Sequence, residues 1–179
     1  MKLLLVLALV TTTYTTLAMD HTKQGHHGKT NSQKASEGRK SLDSKLKGSL
    51  IELLKSNEAL HEAFFGYDSK VLAQRAKALA DKISKIENKS LKKVFKRSSK
   101  ILLKIKASED KEKNYHYYWL VNKSLVEVLK IYDLGSTYNV YYCPMLKKHW
   151  VQNSLKQNKV HNPYAGDYMP HCGFKETSF

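Results

Sequence analysis

The sequence predicts a mainly α domain: a four-helix bundle followed by a C-terminal β-strand and an irregular cap that carries cysteine, methionine and proline. Three observations predict it. Apolar residues recur at i, i+3 and i+4 from Leu42 to Leu129, the period of helices that each turn one face to a core. The three prolines, Pro144, Pro163 and Pro170, all fall beyond that stretch, so no proline interrupts it. At Thr137 the chain becomes rich in β-branched and aromatic residues that alternate as in a strand.

The first stripe is Leu42, Leu46, Leu50, Leu53 and Leu54, ending near Ser56-Asn57. Asp68 or Ser69 can cap a second helix through Val71, Leu72, Ala76, Leu79, Ile83 and Ile86, since a short polar side chain there satisfies free amides of the first turn. Asn88-Lys89-Ser90 separates it from a third stripe, Leu91, Val94, Phe95, Ser98, Ile101, Leu102 and Ile105. Ser108 opens the fourth, with Tyr115, Tyr118, Trp119, Val126 and Leu129, closing near Gly135. Thr137 to Cys143 reads as the strand. Residues 137–175 together form the cap, where irregular loops on a rigid scaffold commonly carry binding groups.

The N-terminus indicates export. Met1-Lys2 is a short positive start, and Leu3 to Val10 is an apolar run, far shorter than the about 20 residues that a membrane span needs. Thr16-Leu17-Ala18 suits cleavage. Residues 1–18 are therefore read as a signal peptide, and the protein as periplasmic or secreted, with no transmembrane segment after signal removal. Residues 19–41 have almost no apolar side chains and are expected to be a disordered arm containing His and Lys, because they cannot offset their ordering entropy. The single helical domain is expected over 42–175.

The 179 residues carry a formal charge of +15. From Lys85 to Lys106 lysines interleave with apolar residues, as on the wet faces of helices, so nucleic acid is not the expected partner. Anionic lipid, polysaccharide or an acidic envelope protein fits better. No Ser/His/Asp set, paired carboxylates or glycine-rich phosphate loop stands out, and His61 and His116 read as partly exposed helix-surface histidines. An enzyme is not expected.

The residues that carry chemistry lie in the cap: Cys143-Pro144-Met145, His149-Trp150, Asn162-Pro163-Tyr164-Ala165-Gly166 and Met169-Pro170-His171-Cys172-Gly173. If the two cysteine segments meet, Cys143, Cys172, Met145 and Met169 offer two thiols and two thioethers, with His149 and His171 nearby. Soft sulfur donors suit Cu(I) or Ag(I). A structural disulfide between Cys143 and Cys172 is the commoner outcome for two cysteines in an exported protein, would stabilise the fold by about 3–4 kcal/mol, and would leave the methionines as core filler. A redox pair is the third alternative. The Asn162 to Gly166 stretch reads as a turn returning Met169 and Cys172 toward Cys143, with Asn162 held extended by Pro163 and Gly166 free to adopt positive φ. A second metal site can form if cleavage follows Ala18: Met19-Asp20-His21 would then present an amine, two amides and an imidazole in the square plane that Cu(II) or Ni(II) prefers, the other reading being a chance histidine in a polar arm.

The order Cys143-Pro144-Met145, Trp150, Asn162-Pro163-Tyr164-x-Gly166, Met169 and Cys172-Gly173 resembles the end of a bacterial domain-of-unknown-function family numbered 3347. The resemblance extends upstream to the Asp68-centred helix start and to the segment from Lys113 to Leu129. The family occurs free-standing and appended to membrane-fusion subunits of copper and silver efflux pumps. The resemblance thus implies heavy-metal handling, with copper as the bound ion and an efflux-system or envelope protein as partner. The chain departs from the family at His149-Trp150-Val151-Gln152, where Tyr-Trp-Leu-Ser is usual, and at Pro170-His171, where an apolar-polar pair is commoner. Both departures leave the sulfur set intact and add imidazoles.

Overall fold

The computed structural model describes residues 38–156 and 158–179. The signal peptide, nearly all of the arm and Met19-Asp20-His21 lie outside the described residues. Five helices are followed by a three-stranded antiparallel sheet: α1 (Ser44–Gly66), α2 (Ser69–Ser84), α3 (Lys89–Val94), α4 (Ser98–Leu102), α5 (Lys111–Ile131), β1 (Tyr138–Cys143), β2 (Lys148–Asn153) and β3 (Phe174–Lys175). The mainly α reading stands.

Short polar side chains start four of the five helices. The Asp43 carboxylate accepts from the Leu46 amide at 2.9 Å, and Asp68 accepts from Lys70 and Val71. Asn88 opens α3 by accepting from Leu91. Asp110, not Ser108, opens α5, where its one oxygen accepts from both Glu112 and Lys113. Each contact satisfies amides that the first turn leaves free.

The third helix expected from Leu91 to Ile105 is instead two short helices, α3 and α4. Between them the chain tightens, and the Ser98 amide donates to Phe95 at 2.9 Å. The tighter turn rotates the apolar stripe, so that Leu91, Phe95, Leu102 and Ile105 all reach the core. It also buries Ser98, whose hydroxyl reaches Ser124 of α5. A continuous helix would keep one angular step of about 100° per residue; the break lets both halves face α5.

The core lies where α1 packs on α2, α2 on α4, and α3 and α4 on α5. Helix α5 continues that core to the sheet, where β2 packs across it. The strand order is β2-β1-β3, with Cys143 opposite Lys148, Tyr141 opposite Trp150 and Tyr142 opposite Phe174. Strand β2 lies inside the segment expected to be irregular. Its middle residues Trp150, Val151 and Gln152 are buried one after another, so it lacks the in-out alternation by which a strand shows in sequence.

The fold also uses residues outside 42–175. Lys40 pairs in parallel with Tyr132, and Arg39 bonds Asp133 at 3.2 Å. At the other end the Glu176 amide donates to Val140 and the Phe179 amide to Asn139. The Arg39 guanidinium lies 4.0 Å from the Phe179 ring centre, which joins the two ends. Among the described residues no helix is long and apolar enough to cross a membrane.

Candidate functional site around Cys143 and Cys172

Cys143 is the last residue of β1 and fully buried. Cys172 reaches it from the loop after β2, and four contacts hold that loop. The Asn162 backbone amide donates to the Pro170 carbonyl at 2.8 Å. Its side chain donates through Nδ2 to the Cys172 carbonyl at 2.9 Å and accepts the Tyr164 amide at 3.0 Å. The Cys172 amide donates to Met169 at 3.0 Å, making a turn that carries Met169 and Cys172 together. Gly166 has φ of 55°, the positive φ expected of it.

These contacts bring the Cys143 and Cys172 sulfurs to 3.0 Å. Both are free thiols, outside the about 2.05 Å of a disulfide bond. The hydrogen bond with Cys143, then burial, raises the Cys172 thiol above its ordinary range. Cys172 therefore holds its proton at neutral pH.

The other site residues are placed differently. Met145, in the turn between β1 and β2, is 65% exposed, and Met169 is 38% exposed; neither fills the core. His149 turns to Glu176, with Nε2 2.7 Å from the carboxylate, and its ring stacks near Tyr142. Lys130 holds the other oxygen of that carboxylate at 2.6 Å. His171 Nδ1 lies 2.6 Å from the Val160 carbonyl, in an aromatic group with His161 and Phe65. The structure thus joins the thiols and gives both imidazoles other partners. Among the described residues no three His, Cys, Asp or Glu side chains gather as a metal-binding group.

His61 corrects an expectation. It is 2% exposed rather than on the surface, because this side of α1 is covered by β2 and the cap. Its Nε2 is 2.9 Å from the His161 carbonyl and its Nδ1 is 3.4 Å from that of Val151. Burial lowers its pKa to about 4. Two positioning residues were also illegible in sequence: Asn162, read as a turn former, is the clasp on Cys172, and Gly173 is the closest packing point of the loop.

Asn162→Ala removes the donor to the Cys172 carbonyl and the acceptor for the Tyr164 amide, both poorly hydrated. The expected cost is about 1–3 kcal/mol. Alkylation of Cys172 should accelerate several-fold, as mass spectrometry of partially labelled protein would show.

No protein-family model, curated protein or solved structure matches this chain.

Proposed function

We propose that the protein is an exported soft-metal module that takes Cu(I) on the Cys143–Cys172 thiol pair and sequesters it or passes it to an export system in the cell envelope. The supporting observation is the 3.0 Å approach of two thiols far apart in sequence. The exposed Met145 and Met169 flank them in the chain, and their exposure removes the core-filler account of these thioethers. Cu(I) accepts such soft donors at low coordination number. An ion held by both sulfurs at about 2.3 Å would spread them to about 3.7 Å or more. Cys172, on a loop, can make that move more readily than Cys143 in β1. Metal binding displaces the thiol protons, so affinity rises with pH, and the raised Cys172 carries that rise to higher pH.

Competition with a Cu(I) chelator under reducing conditions tests the reading. The double variant Cys143→Ser with Cys172→Ser should lose tight binding altogether. Met145→Leu with Met169→Leu should lower affinity tenfold or more, at a stability cost below about 1.5 kcal/mol. His149→Ala and His171→Ala should leave affinity unchanged. Tight binding by the double Cys variant would exclude the thiol site, and parental affinity in the double Met variant would remove the thioethers.

The same approach of the sulfurs favours a second reading, a disulfide-closed basic envelope protein with no metal role. The sulfurs need close by only about 1 Å to bond. Thiol titration of protein taken from its native compartment separates the two. Two thiols protected by metal support the first reading, and a bond resistant to mild reductant supports the second.

A further inference from the structure

We infer that helices α3 and α4, with the facing part of α5, form a docking surface for an anionic lipid bilayer. The surface is separate from the thiol pair and does not rest on the copper reading. Lys89, Lys92, Lys93, Lys96, Arg97 and Lys100 are all exposed, and no acidic residue occurs between Glu87 and Glu109. Ion pairs in the described residues use lysines elsewhere, such as Lys55, Lys77, Lys113 and Lys156, and none uses these six. Two short helices joined by a tight turn therefore present cations without a compensating carboxylate, in a chain whose other faces mix both signs.

Apolar and aromatic groups at the same face favour a bilayer over a soluble polyanion. Leu103, between Lys100 and Lys104, is 53% exposed. Lys104 Nζ lies 5.7 Å from the Tyr117 ring centre, and that ring is half-buried on the side of α5 that meets α3 and α4. Tyrosine settles at the headgroup level, where one edge is wet and the other apolar. Lysines beside an anionic leaflet each strengthen binding by about fivefold, and an exposed leucine can enter the headgroup–acyl boundary. A polysaccharide would use the cations and leave Leu103 idle.

The test uses the full chain and vesicles of phosphatidylcholine with or without one-third phosphatidylglycerol. Lys92→Gln, Lys93→Gln, Lys96→Gln and Lys100→Gln are combined in one variant. A control combines Lys45→Gln, Lys70→Gln, Lys159→Gln and Lys175→Gln, removing equal charge from exposed lysines elsewhere. The parent should bind anionic vesicles only, and more weakly as salt rises. The first variant should lose at least about thirtyfold in affinity and the control less than about fivefold. Leu103→Ser, with unchanged charge, should lose several-fold and keep its fold by circular dichroism. Equal losses in the two lysine variants would show diffuse net charge rather than a face and overturn the inference. Binding to a soluble sulfated polysaccharide without vesicle binding, or an unaffected Leu103→Ser, would overturn the lipid assignment.

Discussion

Gly173→Ala is expected to cost on the order of 3 kcal/mol and to part the two thiols. Gly173 has φ of 132°, and a Cβ there would stand 2.7 Å from the Tyr142 carbonyl oxygen and 2.8 Å from the Trp150 ring. Neither neighbour can yield cheaply. Tyr142 is held in β1 between β2 and β3, and Trp150 is fully buried, its indole N–H donating to Gln152. The loop would have to lift, and Cys172 with it. Gly135→Ala separates strain from collision, since Gly135 has φ of 88° with nothing within 4 Å of an added Cβ. Denaturant midpoints should place Gly173→Ala at least about 2 kcal/mol below Gly135→Ala. Oxidant-driven closure of the Cys143–Cys172 bond should slow in the first variant and not in the second. Equal destabilisation of the two would show that the loop is not pinned at Gly173.

How much of this could be read in advance follows from which forces are local. Asp68 announces its helix because a cap is a contact between near neighbours in sequence, whereas Asn88, read only as part of a break, is the cap of α3. The Leu72, Ala76, Leu79 and Ile83 stripe is legible because one helix buries one face. The break between α3 and α4 is not, since it comes from a demand made by α5 across space, while the local pattern of Leu91 to Ile105 suits a single helix. Strand β2 is hidden for the same reason: Val151 meets Asn122 of α5, which accepts its amide at 3.1 Å, while Trp150 packs among Tyr141 and Tyr164. Burial on both faces erases alternation. In the candidate site, the cysteines stood out by residue type and the Asn162 to Gly166 turn by its chemistry. The fates of His149 and His171 depended on Glu176 and on the Val160 carbonyl, partners that no spacing rule ties to them.

Between pH 6.5 and about 4 the fold should lose roughly 3 kcal/mol through His61 alone. In the unfolded chain this imidazole titrates at its ordinary value near 6.5, whereas in the fold burial lowers it to about 4. The unfolded state therefore binds the additional proton in that window, and stability falls as pH falls, by up to about 1.4 kcal/mol per unit, levelling once the folded form also protonates. Above pH 6.5 the contribution is complete and flat. Two carbonyls, of Val151 and His161, would welcome a doubly protonated ring, and Glu62 pulls the same way, while His161 opposes. Desolvation outweighs the attractive contacts, because the ring is enclosed between α1, β2 and the cap. His161 is itself lowered, by burial and then by His171, and adds a smaller effect of the same sign. Its contribution survives in a His61→Gln variant, whose amide can donate to the His161 carbonyl without titrating. Urea midpoints across pH 7 to 4.5 should fall more steeply for the parent than for the variant, at constant m-value. Parallel curves would show that His61 carries its proton in the fold, and that the cap opens enough to hydrate it.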